Sequence, residues 1–205
     1  MKRPSARILV TTAAVVLGLG AVGSGGWWWY SVEQRKALTQ WAQIETRLIT
    51  ARGPQSTPEL RAGVMTEVEQ FLASHRSSSV APLAAYDLGN LRFVGGQYAA
   101  ARVAYELALA RGASPTVRTL ARSELAASWE AERDFGKAAD LYQALLGDLE
   151  PKGFLYEQTL LDLARNQTLA GRRDQAVATY QRVLKDLPGS ARADEVRARL
   201  AALAQ

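Results

Sequence analysis

The side chains able to do covalent or metal chemistry are few. There is one histidine, His75, and no cysteine, which excludes disulfides, thiolate metal sites, a cysteine nucleophile and a lipid-bearing cysteine. His75 lies in Leu72-Ala73-Ser74-His75-Arg76, at an expected helix end where a cation faces the negative pole of the dipole, so a surface or capping role is expected. No glycine-flanked serine sits at a strand-to-helix turn, and no set of nucleophile, base and orienting group can be assembled. The acid pairs Glu130 with Glu132 and Asp148 with Glu150 read as solvated side chains at exposed helix ends. Asn166-Gln167-Thr168 spells a glycosylation acceptor but falls inside a helical pattern, which makes it structural. Gly18, Gly20 and Gly23 match a dinucleotide fingerprint by letter, yet no βαβ unit surrounds them. The residues thus predict a chain that is not an enzyme and takes no cofactor or metal.

The elements around these residues point the same way. A chain of 205 residues with 48% hydrophobic and 22% charged side chains has the composition of an ordered fold. Its formal charge of +5 owes three units to Lys2, Arg3 and Arg7, which precede an apolar run. Beyond residue 30 the basic side chains are interspersed with acids, so a phosphate-binding stripe, and with it a nucleic-acid partner, has little support.

Residues 8–30 carry no charged side chain and would reach roughly 34 Å as a helix, enough to span a bilayer core. Basic residues flank the run on its N-terminal side, which places residues 1–7 as a short cytoplasmic head and the body outside. Trp27, Trp28, Trp29 and Tyr30 then form an aromatic belt at the outer interface. Ala14, Gly18, Ala21 and Gly25 recur at spacings of four, three and four, giving a small-residue face suited to close helix packing. A competing expectation is signal-peptide cleavage near Ala21-Val22-Gly23 and Ser24-Gly25-Gly26.

Residues 31–57 read as a juxtamembrane helix and linker, with Leu38, Trp41, Ile44 and Leu48 on one stripe and a Gly53-to-Pro58 break that could act as a hinge. Residues 58–205 read as a helical domain. Its first helix, about Pro58 to His75, carries Leu60, Val64, Val68, Phe71 and Leu72 on one face. Three aligned segments follow, at about 82–115, 119–151 and 157–188. Each has a leucine and a small residue (Leu88-Gly89, Leu125-Ala126, Leu163-Ala164), an alanine twelve positions after the small residue (Ala101, Ala138, Ala176), and a tyrosine four later (Tyr105, Tyr142, Tyr180). The small positions advance by 37 and 38 residues. Residues 190–204, with Ala193, Val196, Leu200 and Leu203 on one face, describe a capping helix.

These residues resemble the tetratricopeptide repeat, whose small positions let two helices cross closely beside an aromatic. The fold class expected is therefore all-α, a tetratricopeptide-type helical solenoid with an N-terminal transmembrane helix. The period exceeds the usual 34 residues, so the connections or helices between pairs must be slightly long. Arg92 and Gln167 stand where the repeat pattern has a core aromatic, and Trp129 keeps it. The resemblance implies a protein-binding groove lined by the first helix of each pair. Register then names Tyr86, Asn90 and Phe93, Ser123 and Glu130, and Gln158, Leu161 and Arg165 as groove candidates.

The whole layout, a short head, a membrane helix ending in GGWWWY, a juxtamembrane helix and repeats beginning at PLAAYDLG, resembles the bacterial YfgM-type ancillary subunits of the SecYEG translocon. That resemblance implies a single-pass inner-membrane protein whose periplasmic solenoid contacts the translocon, periplasmic chaperones or envelope clients. The segment LAGRRDQAVATYQRVLKDLPGSARADEVRARLAAL is also similar to the repeats of the secreted cell-division coordinator of the Tol-Pal system, which implies a cleaved, soluble alternative. Trp41 and its neighbours are expected either to pack on the first pair or to support self-association.

Overall fold

A computed structural model describes the backbone of residues 6–204 and the side chains of residues 24 and 26–204. Among the described residues there are nine α-helices and no strands: α1 (Ala6–Arg52), α2 (Pro58–Ser74), α3 (Ala81–Val94), α4 (Tyr98–Ala110), α5 (Pro115–Ala131), α6 (Phe135–Leu146), α7 (Tyr156–Leu169), α8 (Arg173–Asp186) and α9 (Ala193–Leu203). Consecutive helices pack as antiparallel neighbours along a single stack, the arrangement that short connections enforce. Among these residues no helix is long and apolar enough to cross a membrane. The span assigned to residues 8–30 falls mostly, and the Ala14, Gly18, Ala21 and Gly25 face wholly, outside the residues whose side chains are described.

The helix α1 runs unbroken past the aromatic belt and into the body. Its buried stripe is Ala37, Trp41, Ile44, Leu48 and Ala51, spaced four, three, four and three. Leu38, expected on that stripe, is exposed, and Ala37 is buried in its place. Trp41 packs at 5.3 Å from Phe71 of α2, inside one core cluster shared with α3. Residues 53–57 therefore form a turn between packed helices rather than a hinge. Thr57 caps α2 by accepting from the Leu60 N–H, and Pro58 occupies the first turn, where its missing N–H costs nothing.

The repeat positions found in the sequence are the closest-packed points of the stack. Ala101, Ala126, Ala138, Ala164 and Ala176 are fully buried, and Tyr105, Tyr142 and Tyr180 are at most 4% exposed. A methyl group placed on Gly89 would lie 2.3 Å from Cε1 of Tyr105, so α3 and α4 can approach as they do only with glycine there.

The turns within each pair share one geometry. Gly96, Arg133 and Gly171 adopt φ of 72°, 65° and 73°, and the following N–H closes the helix end in each: Gln97 to the Arg92 carbonyl, Asp134 to Trp129 and Arg172 to Gln167, at 2.8–2.9 Å. This is the left-handed helix terminus that glycine favours. The second turn meets it with Arg133 instead. Asp134 then caps α6 through the Lys137 N–H at 3.1 Å, and Gly136 lies within α6 rather than in the turn. The excess over a 34-residue period has two sources. One is extra length at the start of α5; the other is the long connection between α6 and α7, residues 147–155.

Gly89→Ala should destabilise the protein by about 1–3 kcal/mol, the usual cost of forcing a methyl group into a packed contact. Gly63→Ala, at a helical site with open space around it, should gain about 0.5–1 kcal/mol from reduced backbone entropy. Thermal or urea unfolding of the two variants checks this opposite pair of signs.

Candidate functional site: the face of the first helices

Within the repeats, α3 touches α5 directly, while α4, α6 and α8 contact only the first helices that flank them. In solenoids of this type the equivalent helices of successive pairs form one extended face, and α3, α5 and α7 are that row here; within it only α3 and α5 pack directly on each other.

Each sequence-named residue can be placed on this row. Tyr86 is half-buried with its ring 5.9 Å from that of Tyr105, and Asn90 is among its polar neighbours. Asn90 also accepts from the Tyr105 hydroxyl at 3.0 Å. Burial raises the Tyr86 and Tyr105 phenols above their ordinary range, which keeps both neutral. Phe93 is half-buried and meets Tyr98 edge-on at 5.3 Å. Ser123 is half-buried on α5. Leu161 belongs to the core cluster around Tyr142 and Tyr156 and presents little to a ligand.

Glu130, Gln158 and Arg165 are brought together, and the expectation of a solvated Glu130 gives way to a bridge between α5 and α7. The Arg165 guanidinium donates to both Glu130 oxygens at 2.9 Å, the fork geometry that makes such pairs strong. It also lies 2.8 Å from Asp162. Asn166, fully buried, donates from Nδ2 to Glu130 at 2.8 Å and to the Asp162 carbonyl at 2.9 Å. Gln158 donates to Asp162 at 2.9 Å and accepts from Arg192 at 2.7 Å. Glu132, in contrast, is exposed and pairs with Arg102, and Asp148 and Glu150 are exposed as expected.

The structure adds three acids that the sequence reading passed over. Asp87, Glu124 and Asp162 each stand directly before the leucine of the repeat signature, so they share one register and one side of the row. Burial raises all three carboxyls above their ordinary values, with Asp162 adding to the effect at Glu124. Arg52 answers Asp87, and Arg165 and Gln158 answer Asp162. The Glu124 carboxylate has no hydrogen bond or ion pair among the described residues, and its electrostatic neighbours are Tyr86, Tyr105, Tyr142 and Asp162. The signal that could have found the row was present, an acid recurring at the same 37- and 38-residue spacing. It is hidden in a single sequence because helices carry acids at many unremarkable positions.

The core-aromatic register shows three solutions to one position. Trp129 lies between Arg102 and Lys137, at 3.7 and 3.5 Å from its ring centre, a double cation–π contact. Arg92 instead donates to the Ala100 carbonyl and to Glu69, and Gln167 accepts from Thr179 at 2.7 Å. His75 ends α2, contacts Gln40 at 2.8 Å and packs on Phe71. Its role is that of a cap.

The sequence matches the tetratricopeptide repeat-like domain over residues 7–205. The chain belongs to that family. No curated protein matches it. Among solved structures, a putative kinesin light chain from Podosopora anserina with nearly identical TPR-like repeats superposes with a TM-score of 0.56 at 14% identity, covering 83% of this chain and 96% of the other. A variant of the same protein gives 0.56 and 14%, covering 83% and 95%. At that identity the likeness is one of fold. Repeats of this family generally bind proteins or peptides, and the tetratricopeptide domain here is an interaction scaffold.

The lone Glu124 carries a sign for stability. Its folded carboxyl binds protons more readily than an unfolded glutamate, so stability falls as pH rises from the ordinary carboxylate range through the raised folded value. Glu124→Gln should therefore be more stable than the parent at neutral pH. The gap should close as the pH drops below the unfolded glutamate value, which paired urea titrations across that range measure.

Proposed function

We propose that the face of the first helices binds a protein segment presenting a basic side chain, and that the chain acts as a membrane-tethered adaptor on the outer side of a bacterial inner membrane, serving the translocon, periplasmic chaperones or envelope clients. The observation that carries the binding reading is Glu124. A partly buried carboxylate without a counter-cation costs stability, and a lysine or arginine from a partner would offset that cost only in the complex. Tyr86, half-buried beside it, offers an aromatic face to the aliphatic stem of the same side chain. In the bridge of Glu130, Arg165 and Asn166 the charges answer each other, although the buried Asn166 Oδ1 has no partner among the described residues; Glu124 is left as the acid a ligand can still answer.

Attachment to a membrane is supported by the uncharged run at 8–30 and by the belt, where Trp27, Trp28, Trp29 and Tyr30 are 71, 63, 65 and 51% exposed. Successive residues of a helix point about 100° apart, so these rings surround α1. A protein partner on one side would cover only part of such a girdle, whereas a lipid interface meets every side and favours amphipathic rings.

Two measurements test the two halves. On an array of lysine- and arginine-containing peptides, those that bind should lose about tenfold in affinity when the basic residue becomes norleucine, consistent with a partly desolvated ion pair. Glu124→Gln should erase that discrimination, and equal binding by parent and variant would remove the groove reading. For the tether, carbonate-washed membranes should retain the full-length chain. A soluble species shortened by roughly 23 to 26 residues, the cut that the small-residue cluster permits, would instead make it a secreted protein.

A further inference from the structure

The turn between α2 and α3 sits against α1 immediately beyond the aromatic belt. Gln34 holds it from both sides, donating to the Ser77 carbonyl at 3.0 Å and accepting from the Ser79 N–H at 2.9 Å. Trp29 and Tyr30 share a cavity of about 260 Å³ with Ser74, His75, Arg76 and Ser77. Gln34 is four residues after Tyr30, about 6 Å along a helix axis. The loop is thus level with the outer edge of the belt.

Two arginines stand at this end of the stack, Arg76 in the loop and Arg111 against the last turn of α2, at the Leu72 carbonyl four residues before Arg76. Arg76, in this loop, is exposed and makes no hydrogen bond or ion pair among the described residues. Arg111, at the end of α4, donates only to the Leu72 carbonyl, at 3.5 Å. Burial, with the positive charge of Arg76 adding to it, pulls the Arg111 guanidinium below its ordinary range. Residues 75–80 and 111–114, the two connections on this end of the stack nearest the belt, contain no Asp or Glu. Of the acids near this end, Glu33 is already held by Lys36 at 2.9 Å, and Glu106 stands on α4 five residues before Arg111. Farther along the stack, the corresponding connection at 147–155 carries Asp148 and Glu150. Cationic character on this end is therefore concentrated beside the belt.

We propose that Arg76 and Arg111 form a site for the phosphates of anionic lipid headgroups, docking the first repeats of the solenoid onto the bilayer surface. This rests on the membrane reading above and adds to it a specific lipid contact by the folded domain. Like charges brought together without a counter-ion repel each other, and a phosphate between them converts repulsion into two charge-assisted contacts. A lipid rather than a dissolved anion is the source favoured by position, since Gln34 ties the loop that carries Arg76 to the helix bearing the interfacial aromatics.

Because the chain has no cysteine, Ser77→Cys gives a single, exposed labelling position. The full chain with a polarity-sensitive fluorophore there is reconstituted into vesicles of phosphatidylcholine, with or without phosphatidylglycerol. Flotation with both vesicles and a blue shift only with the anionic lipid is the expected result. Arg76→Gln with Arg111→Gln should float equally well and lower the docked fraction by roughly tenfold or more, since each cation near such a surface contributes about fivefold. Arg76→Gln alone should fall between. Matching helical circular dichroism would show that these variants remain folded. Flotation with a label response independent of lipid charge or of the arginines overturns the lipid site alone. A chain that floats with neither vesicle overturns membrane attachment and this site with it. The same blue shift produced by inorganic phosphate without vesicles would assign the pair to a soluble anion and overturn the lipid source.

Discussion

The contact on which the first repeat depends is the absence of a side chain. Gly89 lies under the ring of Tyr105, closer than any Cβ could tolerate, and alanines occupy the same small position in the next two repeats, buried among the helices that carry Tyr142 and Tyr180. Close crossing buries the whole tyrosine ring and sets the angle at which the second helix leaves the first. Once that angle repeats, neighbouring pairs can stack only one way, and the first helices are left as a continuous lining.

That lining departs from the rule that buried charge is paired. Asp87 and Asp162 have partners close at hand, from Arg52 at the end of α1 and Arg165 of the same helix. Between them the half-buried Glu124 has none, and the tyrosines among its electrostatic neighbours offer no cation. A local violation of polar satisfaction inside an otherwise consistent structure is the kind of feature expected where function, rather than stability, decides the residue. The neighbouring Glu130–Arg165 bridge has the opposite character. It joins helices that the long connection at 147–155 would otherwise let drift apart.

The continuity of α1 gives the molecule its mechanical plan. The helix that carries Trp27 to Tyr30 also supplies Trp41, Ile44 and Leu48 to the core shared with α2 and α3. No flexible segment separates the belt from the solenoid, so whatever holds the belt also fixes the height and facing of the first repeats. The Gln34 contacts to Ser77 and Ser79 tie the nearest loop to the same helix, and the guanidinium pair inherits its position from them.

The repeat was legible in the sequence because its signature follows from sterics: a small residue, an alanine and a tyrosine recur wherever two helices must cross closely, and side-chain volume can be read from a letter. The helices themselves and the uncharged run at 8–30 are equally local. Partnership was not legible. Glu130 read as a solvated acid, and only tertiary structure brings Arg165 and Asn166 to it across 35 and 36 residues of chain. Leu161 shared a register with groove residues, yet packing turned it into core. The isolation of Glu124 and the nearness of Arg76 to Arg111 depend on which charges the fold leaves nearby, and Coulomb interactions are set by distances in space that residue order does not specify.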